Sequence, residues 1–471
     1  MRTNLTHFVA AIMRWKLCII AAAIALLPAL GWSQEYTVTD LGNFGGGISV
    51  ATAVNNKGQV AGYSNIDYST WDDDGYITTL PFIYSNGVMN ALEAQDEYLY
   101  NFALAMNNNG TVAGEYFSGN QNQFNALLWN GALQDLAPAN ESYAVAINDN
   151  GVAVGANGYL QDPTVGGWYT NMPLGGGVPI GVIFSGGDIL DIPTGPYLAV
   201  SPLGINNSEQ IAGLCFTPKG AILGCIVSGT QQQLLQLVHP FKGDVQAYPA
   251  AINASGDTCG ESYTGPYLSP TASVATYWKG LAPTDLGNPA NSKNSQCFGM
   301  DDYGNGVGDA TSKTEGQIAV LFDPVNGAQN LNSLISKFFR KGHAFRITNA
   351  VSISDTGFIA AQCLYENGNN DACILTPELT VIFVNSLEAL AKSEPRCRSC
   401  EDELVVEART LPKSLDGLSG DEKKRVISTV TLIGEQIEQL ERDGQISESK
   451  AMLLLHQAEL VFAAVEPRTR G

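Results

Sequence analysis

One phrase recurs along the chain and constrains its fold more than any other feature: ATAVNNKGQVAG (51–62), ALAMNNNGTVAG (103–114), AVAINDNGVAVG (144–155) and LGINNSEQIAG (203–213). Weaker copies follow as PAAINASGDTCG (249–260), CFGMDDYGNGVG (297–308) and AVSISDTGFIAA (350–361). Their anchor residues are Asn55, Asn107, Asn148, Asn206, Asn253, Asp301 and Ser354, spaced 52, 41, 58, 47, 48 and 53 residues apart. A chain with such a period stacks equivalent units rather than building one irregular core. Each phrase reads as a hairpin: apolar residues alternate, an Asn/Asp-rich turn containing Gly reverses the chain, and a second alternating strand leaves. Asn and Asp cap their own turn and tolerate the left-handed region, where Gly carries no steric cost. Ala at alternate places of the first strand (Ala51 and Ala53, Ala103 and Ala105, Ala144 and Ala146) suits an innermost strand crowded around an axis.

A second phrase follows each hairpin, as FIYSNG (82–87), LLWNG (127–131), VIFSGG (182–187), CIVSG (225–229), TYWKG (276–280) and VLFDPVNG (320–327), and supplies a third strand. Short segments such as ALQDLAP (132–138), DILDIPT (188–194) and LAPTDLG (281–287) supply a fourth. Four strands in each of seven units predict a mainly β fold, a seven-bladed β-propeller of four-stranded blades spanning residues 34–385. A β-helix or a sandwich is the competing architecture. Two segments compete to close the ring: YTVTDLG (36–42) resembles a fourth strand but precedes the first hairpin, whereas LTVIFV (379–384) sits where a seventh fourth strand belongs. The N-terminal strand is favoured, since closure of this kind leaves no unpaired edge.

The phrases DLGNFGG, AVNNKGQVAGYS and PFIYSNG resemble the HAF family of probable extracellular repeats, found in exported bacterial proteins. The resemblance covers about three-quarters of the chain. It implies an extracellular repeat protein and transfers no catalytic residue.

The N-terminus reads as an export address. Arg2, Arg14 and Lys16 precede the apolar run LCIIAAAIALLPAL (17–30), and Gly31-Trp32-Ser33 offers small residues at a cleavage site, making residues 1–33 a signal peptide. The run is shorter than the roughly 20 residues of a membrane span. No membrane span is therefore expected after cleavage, and the chain is expected to be periplasmic or secreted. Removing residues 1–33 leaves 22 basic and 46 acidic residues, a net charge of −24, concentrated where residues 34–385 hold 10 basic against 30 acidic. Nucleic acid is excluded as a partner, because a phosphate-backbone reader needs a basic face.

Eight cysteines remain beyond Cys18, an even number suited to an oxidising compartment. Cys215 and Cys225 lie 9 and 19 residues after Asn206, and Cys363 and Cys373 lie 9 and 19 after Ser354. Equal offsets place each pair on the second and third strands of one unit, directly opposed and within bonding range. Cys259 and Cys297 remain to bridge neighbouring units. Cys397 and Cys400 form a CRSC motif that reads as a structural disulfide ahead of a redox or zinc role, since neither a βαβ context nor a second CxxC is present.

Residues 386–471 change to helical period. Val426, Val430, Ile433, Ile437 and Leu440 form one stripe, Ser419 and Glu422 a capping box, and Asp443-Gly444 a stop. A second helix over 447–464 and an upstream one near 400–411 would complete a helical C-terminal bundle. The segment LIGEQIEQLERDGQISESKAMLLLHQAELVF is similar to one half of the FIMAH-type domains appended to bacterial exported enzymes.

Chemistry is expected on the face that carries the connections between second and third strands. Units one and three hold long insertions there, SNIDYSTWDDDGYITTL (64–80) and NGYLQDPTVGGWYTNMPLGGG (157–177). Tyr68, Trp71, Tyr76, Trp168 and Tyr169 offer rings for stacking on a sugar or a peptide. Asp72, Asp73 and Asp74 could supply hard oxygens for calcium, the one cofactor considered, although consecutive acids do not form an alternating ligand loop. The enzyme classes are poorly served: the mature chain has three His, residues 34–385 have two Arg (Arg340 and Arg346), and neither GxSxG nor HExxH occurs. Paired carboxylates of a carbohydrate-active enzyme stay open, since geometry rather than motif defines such a site. The expectation is an exported, non-catalytic binding propeller whose ligand is a glycan or a cell-surface protein. A carbohydrate-active enzyme and a structural surface component are the alternatives.

Overall fold

The computed structural model describes residues 35–66, 79–92, 100–118, 123–138, 140–160, 178–219, 221–228, 236–237, 246–264, 272–324, 326–335, 345–366, 368–393, 404–415 and 417–465. The chain is mainly β, a propeller-like array of antiparallel sheets followed by a small group of helices. Sheet order follows the repeat. Among the described residues, five sheets contain four consecutive strands each, and an eight-stranded sheet joins the last repeat to the first. That join is slender, a single parallel pairing of Ile48 with Asn370.

The N-terminal segment closes the last repeat. Tyr36–Asp40 pairs antiparallel with Asn370–Pro377, from Tyr36 opposite Pro377 to Asp40 opposite Cys373. The competing segment 379–384 is no strand: Leu379–Ser393 forms a helix that begins ahead of the change to helical period read at residue 386. Its apolar residues Phe383, Val384, Leu387 and Leu390 are buried in the helical core rather than in a sheet. Alternation alone did not separate a short apolar strand from the first turns of a buried helix.

The innermost strand of every repeat carries an irregularity just before its anchor, for example between Ala51 and Ala53, Ala144 and Ala146, and Cys297 and Gly299. Such bulges bend a strand and increase its twist. The strand beside it is packed against it just as closely: a Cβ on Gly114 would lie 1.9 Å from the carbonyl oxygen of Phe102.

Three disulfides staple the sheets. Cys215–Cys225 and Cys363–Cys373 lie within a repeat, and Cys259–Cys297 joins the fifth repeat to the sixth. The within-repeat pairs differ from the expected directly opposed arrangement. Cys215 faces Leu223 while Cys225 faces Gly213, and Cys363 faces Asp371 while Cys373 faces Ala361. They are diagonal neighbours, with Cα atoms 6.0 Å apart, a separation within ordinary disulfide range.

The helices obey their sequence signals. Gly420–Arg442 starts on the Ser419–Glu422 capping box and buries Val426, Val430, Ile433, Ile437 and Leu440, and Gly444 takes positive φ just past its end. Glu448–Val465 packs against it, and Leu379–Ser393 and the one-turn helix Val405–Ala408 complete the same core. No described helix is long and apolar enough to cross a membrane.

Candidate functional site

The anchor turns do more than reverse the chain. Asn55 Oδ1 accepts from the backbone N–H groups of Lys57 and Gln59, and Asn107, Asn148 and Asn206 repeat the pattern. The amide nitrogen of each anchor then reaches the next repeat. Asn55 Nδ2 donates to Asn107 O (3.3 Å), Asn107 to Asn148 O (2.9 Å), Asn148 to Asn206 O (3.0 Å) and Asn206 to Asn253 O (2.9 Å). A carboxylate cannot donate this bond and Ser cannot reach it. Where the anchor is Ser354, Thr356 Oγ1 donates to Asn56 O instead (3.0 Å).

The residue after each anchor builds a collar. Asn56 N donates to Asn108 Oδ1 (2.9 Å), Asn108 N to Asp149 Oδ1 (2.8 Å), and Asp149 N to Asn207 Oδ1 (2.8 Å). On the other side Ala254 N donates to Asp302 Oδ1 (2.7 Å), Asp302 N to Asp355 Oδ1 (3.0 Å), and Asp355 N back to Asn56 Oδ1 (2.8 Å). The circuit is open at one place, between Asn207 and Ala254, because Ala carries no acceptor. The collar surrounds a basin of about 230 Å³ lined by all seven repeats. Below it lies an apolar ring formed by the residue preceding each anchor: Val54, Met106, Ile147, Ile205, Ile252, Met300 and Ile353. Asp149 is held below the usual carboxylate range by hydrogen bonds from Asn108 and Asn207 that outweigh its burial. Asp302 is raised, first by burial and then by the nearby charges of Asp355 and Asp149.

The opposite end of the first two repeats carries partly exposed aromatic rings. Tyr63 meets Phe102 edge-on with centroids 4.8 Å apart, Phe102 stacks on Tyr100 (6.3 Å) and Phe124 (6.4 Å), and Phe117 meets Phe124 at 5.2 Å. Tyr63 lies near the end of a second strand and Phe102 near the start of a first, so the cluster sits beside the second-to-third connections. Glu115, cross-strand from Phe102, is pushed up to about 7 by burial and by the charge of Glu141.

Other displaced carboxylates lie elsewhere. Glu261 and Asp309 are raised by burial between the fifth and sixth repeats. Glu35 and Asp301 are each raised to about 7 by burial. Both line a pocket of about 40 Å³ against helix Glu448–Val465, room for a water or two. There Glu35 accepts from Asn385 Nδ2 (2.7 Å), His456 stacks on Tyr303 with centroids 3.4 Å apart, and the His456 ring contacts the carbonyl oxygen of Asp355. The helical segment therefore docks beside the collar, at the end remote from the aromatic cluster.

Of the residues singled out in the sequence, Tyr68, Trp71, Asp72, Asp73, Asp74, Tyr76, Trp168 and Tyr169 lie outside the described residues, as do Cys397 and Cys400. Among the described residues no group of three His, Cys, Asp or Glu side chains is placed to hold a metal ion. Sequence reasoning missed the collar. Its signal was present, since the position after the anchor is Asn or Asp in six repeats and Ala in one. A polar turn residue explains itself locally, which concealed its bond to the next repeat.

No family model matches the chain, and no curated protein does. Several solved structures are similar at low identity. The β-propeller domain of the Trilobed protease from Pyrococcus furiosus is 10% identical, with 70% of this chain and 93% of that one covered and a TM-score of 0.44. TolB from Acinetobacter baumannii is 9% identical, with 68% and 63% covered and a TM-score of 0.33. Trypanosoma rangeli sialidase in complex with the inhibitor DANA is 10% identical, with 77% and 58% covered and a TM-score of 0.35. Likenesses at this level assign no activity to the chain.

Proposed function

We propose that the protein is an exported, non-catalytic binding propeller of HAF type, with seven blades of four strands. It takes a glycan or cell-surface ligand on the end bearing the insertions of the first and third repeats. The observation that carries this reading is the cluster of Tyr63, Tyr100, Phe102, Phe117 and Phe124, partly exposed at that end. Rings presented on rigid strands bind sugar faces by stacking at little entropic cost. The neighbouring insertions would add Tyr68, Trp71, Tyr76, Trp168 and Tyr169. Support for the seven-bladed ring comes from the bonds that link the last repeat to the first through Asp355 and Asn56. Support for export comes from the three disulfides, which persist in oxidising compartments. The test is a screen of the mature chain on glycans and envelope polysaccharides, with calcium and with chelator. Binding should weaken at least about tenfold in Trp71→Ala and in Phe102→Ala; binding that survives both would refute the platform.

A second reading has one specific observation behind it. Glu115, held near neutral pKa beside the rings and close to Glu141, has the character of a general acid with a partner carboxylate. Turnover of an aryl glycoside that Glu115→Gln abolishes would replace the binding reading with this one.

A further inference from the structure

The seam between the helices and the propeller encloses acids that no cation answers. The pocket of about 40 Å³ beside helix Glu448–Val465 is lined by Glu35, Asp301, Asp323 and Asp355, and His456 is the one basic side chain among its lining residues. Burial holds His456 below its ordinary 6.5, so around neutrality its ring adds no positive charge. The phenols of Tyr36 and Tyr303 and the carboxylate of Glu459 also face the seam. From helix Leu379–Ser393 the group that meets Glu35 is the neutral amide of Asn385, and Glu378, just ahead of it, donates its backbone N–H to Glu35 O (2.7 Å).

Two polar groups show what these acids lack. Gln457, 8% exposed, lines the same pocket, and its Oε1 is buried with no hydrogen-bond partner. A buried acceptor needs a donor, and the acids lining the pocket can supply one only when protonated. Asp301 makes the same demand from the propeller side. Its Oδ1 accepts from Tyr303 N (2.9 Å) and Asn305 N (2.8 Å), the two bonds that Asn55, Asn107, Asn148 and Asn206 make through Oδ1 in their own turns. Asp301 Oδ2 is therefore the counterpart of the amide nitrogen with which those four anchors donate to the next repeat. Only a protonated Asp301 can donate from that atom.

We propose that the seam is a proton-operated clasp: with Glu35 and Asp301 protonated the C-terminal helices stay docked beside the collar, and ionisation of the two acids frees helix Glu448–Val465 from the anchor turns. The titration directions agree with this geometry. Both acids are raised to about 7, chiefly by burial, so the docked state holds their protons. Their contribution is complete below about pH 4 and is lost as pH rises through about 7. His456 works in the opposite sense, since a lowered base loses docking stability as pH falls below its ordinary 6.5.

The experiment is thiol labelling of the mature chain with Cys397 and Cys400 changed to Ser, corrected by a free thiol under the same conditions. Leu453→Cys places the reporter in the seam, and Leu454→Cys places it in the core of the helical group as the control for unfolding. Between about pH 5.5 and about pH 8.5, an acid that returns from about 7 to its ordinary value on release loosens docking about thirtyfold, against at most about tenfold in the other direction from His456. With both acids contributing, labelling at Leu453→Cys should rise at least about tenfold, while Leu454→Cys shows no such rise. Glu35→Gln and Asp301→Asn imitate the protonated acids, and Asn is the anchor of five other repeats. Each should reduce the rise, and the double variant should abolish it. Labelling at Leu453→Cys that does not rise with pH, an equal rise at Leu454→Cys, or a rise that survives in the double variant would overturn the proposal.

Discussion

The single break in the collar makes a prediction that can be worked from the structure. Six links tie consecutive repeats at 2.7 to 3.0 Å, each from a backbone N–H to the side-chain oxygen of the next repeat. The seventh N–H, on Asn207, faces Ala254. Ala254→Asn would place there the group that Asn207 itself presents to Asp149 N at 2.8 Å. A partly exposed hydrogen bond contributes about 0.5–1.5 kcal/mol net, and ordering the new side chain costs about 0.5 kcal/mol or more. The expected gain is about 0.5 kcal/mol. Asn108→Ala is the converse, removing the acceptor of Asn56 N and the donor to Asp149 Oδ2, two bonds that together contribute about 2 kcal/mol. Equilibrium unfolding in urea reads both, provided the denaturant slope is unchanged. The spread between the two variants should be about 2.5 kcal/mol. If Ala254→Asn destabilised the protein while Asn108→Ala left it unaltered, the collar would not be holding the repeats together, and the reasoning would fail.

Three further outcomes follow from the same structure. The third position after each anchor takes positive φ and is Gly in six repeats, but Glu209 occupies it in the fourth at φ 57°; Glu209→Gly should be neutral to stabilising by up to about 1 kcal/mol, measured by urea midpoint, and a clear loss would contradict the strain argument. Glu35, ordinarily near 4.5, is raised to about 7, so the folded state holds its proton more tightly. Its contribution is complete below about pH 4.5 and is lost as pH rises to about 7; Glu35→Gln should flatten that part of the melting-temperature profile, and an unchanged slope would exclude Glu35 as its source. Cys215→Ala/Cys225→Ala removes a cross-link of sequence separation 10 and should cost about 2–3 kcal/mol, an effect that reductant should reproduce in part in the parent chain.

Much of this architecture is legible from residue order alone, for reasons particular to each element. The hairpins could be read because Asn, Gly and the alternating apolar residues act within a few residues of one another, where turn chemistry is local. The stripe from Val426 to Leu440 and the capping box at Ser419 could be read because a helix buries one face at its own period. Equal offsets from the anchors brought Cys215 to Cys225 and Cys363 to Cys373, because the repeat itself supplies the register. The segment 379–384 could not be assigned this way. Its apolar residues suit a strand or a buried helix, and only the partners of Phe383 and Val384 decided between them.

The collar belongs wholly to the tertiary structure. Nothing local requires that Asn56 bond to both Asn108 and Asp355, residues 52 and 299 positions away. The same holds for His456, which reaches Tyr303 and Asp355 only because the helices fold back beside the anchor turns. Sequence sets which groups each turn presents, since turn geometry depends on neighbours along the chain. Which group meets which across the axis is settled only when all the repeats are packed in place, because each of those bonds has its two partners in different repeats.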